Sequence, residues 1–152
     1  KKVLEAIENA DLIIFSSGSL LTSIIPNIIV EEVAKKIKES NSPKLYISNL
    51  VTQPGETDNY KVSDHINTLN EYLGPNTVNM VIANNEAIPE ELVSKYATEE
   101  QKDPVELDED KLIKMKVKVI KDKIYMIEDG YLRHDSLKTA YLVFSILMER
   151  EK

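Results

Sequence analysis

Apolar residues recur with two different periods along this chain. Leu12-Ile13-Ile14-Phe15 is too short for a helix, rich in β-branched and aromatic residues, and followed at once by Ser16-Ser17-Gly18-Ser19. It reads as a buried strand running into a turn. Lys44-Leu45-Tyr46-Ile47-Ser48 and the run at 78–83 repeat that pattern. Between the runs the period lengthens. Ile28, Ile29, Val33 and Ile37 form an apolar stripe over about 27–40, with Glu31, Lys35, Lys36 and Lys38 on the wet face. Ile66 and Leu69 predict a helix over about 63–72 capped by Ser63, and Pro89 opens a short helix to about 96. Val3, Leu4 and Ile7 mark a lead helix over about 1–9. Strand, loop and helix, three times over, predict an α/β fold with a mostly parallel sheet and helices on both faces.

The pattern changes after residue 98. The stretch 98–110 is acidic, contains Pro104 and reads as surface loop. Lys116-Val117-Lys118-Val119-Ile120 alternates like a half-exposed strand. Lys121-Asp122-Lys123 then suits a turn before a strand at 124–127, which predicts a hairpin or a mixed edge. The segment 130–135 reads as a loop. Asp135 caps a last helix reaching about 150, with Leu137, Ala140, Tyr141, Phe144 and Leu147 expected inward.

Composition narrows the chemistry. The 152 residues are 42% hydrophobic, enough for a core, and their net charge of -7 lacks the basic footprint of a nucleic-acid binder. Cysteine is absent, so neither a disulfide nor a thiolate metal site can form, and His65 and His134 are too few for a multi-histidine site. No apolar run approaches the ~18–20 residues of a membrane span, and no signal peptide is visible, so a cytoplasmic location is expected. The chain starts on Lys1 in a helical pattern, which is expected of the C-terminal part of a longer protein.

In parallel α/β folds ligands bind at the carboxyl ends of the strands. The loops starting at Ser16, Asn49 and Asn84 are the candidates there. In the first, Gly18 can take a positive φ, the small residues leave backbone N–H groups open to an anion, and Ser23 or Asn27 suits a cap for the helix near Ile28. An ordinary strand-to-helix turn has the same pattern. In the second, Asn49, Thr52, Gln53, Glu56, Thr57 and Asp58 bracket the turn signal Pro54-Gly55. Glu56 and Asp58 suit a divalent ion or sugar hydroxyls, and equally suit capping the next helix. Arg133 is the best anion clamp in the chain, unless Asp135 or Glu128 neutralises it. Tyr96 suits stacking on a ring, or half-burial. His65 suits acid–base work, or a place on a helix surface. Nothing indicates covalent catalysis.

These segments resemble a known family. The stretch from Asp11 to Asn27, with Gly18-Ser19-Leu20 and Thr22-Ser23 inside it, is similar to the pattern AD-x-I-I-x-G-P-G-S-L-Y-T-S-x-x-P-N. Asn49-Leu50-Val51-Thr52-Gln53-Pro54-Gly55-Glu56-Thr57 is similar to N-L-M-T-Q-P-G-E-T, and Tyr60, Ser63-Asp64-His65 and Tyr131-Leu132-Arg133-His134-Asp135 follow suit. Ser16-Ser17 stand where the pattern has Gly-Pro, and Leu21 where it has Tyr. The chain is identified as a member of the CofD-like superfamily, on its YvcK-type gluconeogenesis-factor branch. That resemblance implies a Rossmann-like three-layer sandwich with a C-terminal hairpin and helix. It implies binding of a nucleotide sugar of the UDP-N-acetylglucosamine type, without turnover, in a regulator linked to carbon metabolism and cell-shape or cell-wall control. It maps ligand contacts onto Tyr96 and Arg133, and with the two strand-end loops the expected contacts are Gly18, Ser19, Thr22, Asn49, Thr52, Gln53, Glu56, Thr57, Tyr96 and Arg133. The alternative is the CofD-type reaction, phospholactyl transfer to a deazaflavin, which brings in a divalent metal ion. Homo-oligomerisation is left open.

Overall fold

The structure, a computed structural model, describes residues 1–150. Its centre is a four-stranded sheet in the order β1 (Ile13–Phe15), β2 (Lys44–Ile47), β3 (Met80–Asn84) and β4 (Lys118–Asp122). All three pairings are parallel, in the register Ile14↔Leu45, Tyr46↔Val81 and Ile82↔Ile120. The strands expected from the short apolar runs are therefore in one parallel sheet, and the fold is α/β and Rossmann-like.

Strand side chains alternate between two cores, as the pleat requires. Phe15, Tyr46, Val81 and Ala83 pack into one face with Ile25, Ile28, Ile37, Ile66 and Leu69. Those last residues belong to α2 (Ile25–Ile28), α3 (Glu31–Glu39) and α4 (Val62–Leu73). Leu45, Met80 and Ile82 face the other way, where Tyr96, Ile124, Tyr125, Leu132 and Ile146 cover them. The lead helix α1 (Lys2–Glu8), α5 (Glu90–Lys95) and α6 (Glu109–Lys114) complete the shell.

Several expectations need correction. The helix expected over 27–40 is two pieces. A π-helical turn at Leu20–Ile24 runs into α2, and the chain breaks before α3. Ser19, rather than Ser23 or Asn27, accepts the Thr22 N–H and caps the turn, and Gly18 is not among the residues with positive φ. Ser63 does not cap α4. Its N–H and hydroxyl both go to Asp108, and Asp64 accepts the N–H of Lys61 in the cap position. β4 forms no hairpin with the strand after it. It closes the parallel sheet, and the hairpin is β5 (Tyr125–Glu128) with β6 (Tyr131–His134), a segment that reads as loop in the sequence. His65 is fully buried rather than on a helix surface.

α7 (Ser136–Arg150) is capped by Asp135, which accepts the Lys138 N–H at 3.0 Å. Its phase is the largest correction. Thr139, Leu142, Val143 and Ile146 face the core, whereas Leu137, Tyr141 and Phe144 are 84%, 68% and 66% exposed.

Candidate functional site

The loops after β1 and β2 meet at the carboxyl ends of their strands. Asn49 holds them together. Its side-chain N–H donates to the Gly18 carbonyl at 2.8 Å, and its Oδ1 accepts from the Tyr46 hydroxyl at 2.7 Å. Tyr46 is rooted in the core of β2, so the strand fixes the loop. Burial pushes the Tyr46 phenol well above its usual range, which keeps it a neutral donor. A second clasp lies alongside. Ser19 Oγ donates to Glu56 Oε2 at 2.9 Å, and the Thr22 hydroxyl donates back to Ser19 Oγ.

The loop after β2 closes on itself. Glu56 N–H and Thr57 N–H donate to the Gln53 carbonyl, and Gln53 N–H donates to Thr57 Oγ1 at 2.9 Å. Gly55 has φ +78°, the left-handed conformation a side chain would resist, and its N–H reaches Asp58 Oδ2 at 2.7 Å. Thr57 is buried as the pin of this turn. Thr52 is buried too, donating its N–H to the Asp103 carbonyl at 2.8 Å while its Oγ1 accepts the Asp103 N–H at 3.0 Å.

A cavity of about 320 Å³ opens where these loops meet β6. Ser17, Gly18 and Ser19 form one side, the residues from Asn49 to Gln53 a second, and Leu132, Arg133 and His134 a third, with Lys102 also on the wall. No carboxylate is in this lining, which carries two cations, Arg133 and Lys102, the second paired with Glu100 at 2.6 Å. A larger groove of about 780 Å³ is lined by Asp64, Glu106, Asp108, Glu109 and Asp110 against Lys61, Lys111 and Lys114. Its excess of carboxylates disfavours an anion, so the smaller cavity is the candidate site.

Of the residues expected to touch a ligand, Gly18, Ser19, Asn49, Thr52, Gln53 and Arg133 line the cavity. Arg133 is exposed and donates to the Leu132 carbonyl at 3.2 Å, and among the described residues it makes no ion pair with Asp135 or Glu128. Thr22, Glu56 and Thr57 stand behind the lining and shape the loops. Tyr96 differs from its expected role. Its ring is buried in the core, and its hydroxyl accepts the Leu132 N–H at 2.9 Å. It steadies the backbone next to Arg133 and offers no open face for stacking.

A divalent ion needs several oxygens converging on one point. Glu56 is bonded to Ser19, Asp58 closes its own turn, and among the described residues no three His, Asp or Glu side chains gather as a metal site. These residues do not fit a resident ion.

Sequence reasoning missed Ser17, Lys102 and His134 as lining residues. His134 had a signal, its place after Arg133 in the motif, and its Nε2 lies 3.0 Å from the Ser48 carbonyl, so that nitrogen carries the proton. Lys102 had none, because it reaches the site through pairing across 51 residues between Thr52 and Asp103.

Comparison with known proteins agrees with the fold. A family model described as 2-phospho-L-lactate transferase CofD matches residues 1–125. A gluconeogenesis factor of Bacillus subtilis is 38% identical over 97% of this chain and 46% of its own length. One from Halalkalibacterium halodurans is 39% identical over 90% of this chain and 42% of its own. A crystal structure of a Bacillus halodurans protein superposes with a TM-score of 0.90 at 38% identity, covering 95% of this chain and 46% of that one. The chain thus spans less than half the length of these relatives.

Proposed function

The chain belongs to the CofD family, on its gluconeogenesis-factor side, and from that premise we propose that its strand-end cavity binds the phosphates of a nucleotide sugar of the UDP-N-acetylglucosamine type. The observation that carries this reading is the cavity lining, two cations and neutral polar groups with no carboxylate, at the carboxyl ends of β1 and β2. Gly18 and Ser19 line the opening, and backbone N–H groups of such a small-residue loop suit an anion. Arg133, with a planar fork of donors, suits a phosphate oxygen pair. Asn49 and Gln53 add neutral hydrogen-bonding groups suited to sugar hydroxyls or a base edge.

In this role the protein senses a nucleotide sugar and passes that state to carbon metabolism and to cell-shape control. No bond is made or broken. A calorimetric titration of UDP-N-acetylglucosamine into the protein tests it. Saturable binding that UDP competes away is expected. Absence of binding at millimolar ligand overturns the reading.

A second reading has one observation in its favour, the description of the family model that matches residues 1–125. On it, the same cavity holds the substrates of a phospholactyl transfer to a deazaflavin acceptor. Detectable transfer with a divalent ion present would replace the binding reading.

A further inference from the structure

We propose that Lys102 is a second cationic contact for the anionic part of the ligand, held ready by Glu100. The proposal rests on the binding reading above and adds a residue to it. Lys102 lies in the acidic stretch between Glu99 and Asp110, where a lone lysine would ordinarily be a solvated charge. The fold gives it another place. Gln101 turns left-handed, with φ 54°, directly after the π-helical turn at Tyr96–Glu100, and redirects the chain. Lys102 N–H then donates to the Tyr96 carbonyl at 3.1 Å. The next residues are stitched along the loop after β2. Asp103 and Thr52 exchange two hydrogen bonds, Val51 bridges to Pro104, and Val105 N–H donates to the Leu50 carbonyl at 3.0 Å. This ladder fixes the Lys102 backbone on the cavity wall, among neutral groups and in the same cavity as Arg133.

The ammonium is half-buried and 2.6 Å from Glu100 Oε2, whose side chain is half-buried as well. An ammonium has three donors. Glu100 uses one, so two remain for phosphate oxygens. Glu100 thus keeps Lys102 from straying over the surface while no ligand is bound, and competes with the anion once it arrives.

The two roles predict opposite responses. Inorganic pyrophosphate and UDP-N-acetylglucosamine are titrated into wild type, Lys102→Met and Glu100→Gln at low salt, followed by calorimetry and amide shifts of Gly18 and Ser19. Lys102→Met is expected to weaken both anions about 10-fold, the low end for a charge-assisted hydrogen bond because the site is part-exposed. Glu100→Gln is expected to tighten both about 3-fold, since a charged competitor is removed. Unchanged pyrophosphate affinity in Lys102→Met, or no pyrophosphate binding by wild type, overturns the proposal. Pyrophosphate binding that follows the predicted order, without UDP-N-acetylglucosamine binding, supports the Lys102 site and removes the nucleotide-sugar reading alone.

Discussion

The carboxamide of Asn49 donates to the carbonyl of Gly18 at 2.8 Å, across 31 residues of chain, while its oxygen accepts from Tyr46. One side chain therefore ties a buried strand residue to the backbone of the loop after a different strand. Asn49→Ala removes both bonds and leaves the Tyr46 hydroxyl buried without its acceptor. The expected loss is about 1–3 kcal/mol, read as a lower urea midpoint with an unchanged slope. Ligand affinity should fall as well, because the Gly18 loop is no longer held against the cavity. A variant with wild-type stability would show that the clasp carries no energy.

Arg133 is expected to separate binding from folding. It is exposed, and among the described residues it donates to the neighbouring Leu132 carbonyl and lies over the Tyr131 ring at 5.8 Å, so Arg133→Ala should change stability by no more than about 0.5 kcal/mol. Loss of a charged hydrogen bond of about 1.5–3 kcal/mol should weaken UDP-N-acetylglucosamine roughly 10- to 150-fold. The deficit should shrink as salt is raised. Unchanged affinity at low salt would remove Arg133 from the site.

The parallel core is legible in sequence because Ile13-Ile14-Phe15, Leu45-Tyr46-Ile47 and the run at 80–83 are apolar on both faces, as strands of a covered parallel sheet are, even though Ile14 at the sheet edge is 43% exposed. The loops at their ends are legible by the same logic. β6 is not. In Tyr131-Leu132-Arg133-His134 only Leu132 is deeply buried, and one buried residue makes no alternation. α7 fails for the opposite reason. Leu137, Tyr141, Phe144 and Met148 make one helical stripe, and Leu142, Val143 and Ile146 another, so period alone cannot say which faces the sheet. Lys102 is beyond reach of any local pattern, since long-range pairing of the segment after it with the loop after β2 brings it to the cavity.

The phase of α7 can be checked by stability. Ile146 is 5% exposed and packs with Leu45 and Ile82. Ile146→Ala should therefore cost about 2–5 kcal/mol. Phe144→Ser, on the 66% exposed stripe, should cost no more than about 0.5 kcal/mol for contacts within this chain. The reverse ranking in denaturant unfolding would mean that the helix is rotated from the orientation described.

His65 should make stability depend on pH near neutrality. The ring is fully buried, stacked on Tyr46 at 5.9 Å and met edge-on by Tyr60 at 5.4 Å. Its Nδ1 lies 2.8 Å from the Lys61 carbonyl and so carries the proton, while Nε2 is buried and unbonded among the described residues. Protonating Nε2 would place a charge in a buried site with no hydrogen-bond acceptor for it among the described residues. Burial accordingly pushes the imidazole below its usual range, and the Lys61 carbonyl, Asp64 and Asp108 pull it back only in part. The folded state then releases its proton more readily than the unfolded chain, whose histidine titrates near pH ~6.5. The stabilisation is fully present above that pH and is lost as pH falls through the lower, folded value. Wild type should lose stability as pH falls below ~6.5 towards the lower, folded value, whereas His65→Phe, which keeps an aromatic ring between the two tyrosines, should be flatter over that range. A direct check is the proton NMR titration of the two histidine rings. A His65 midpoint at or above the model-peptide value would contradict the assignment of a neutral, buried imidazole.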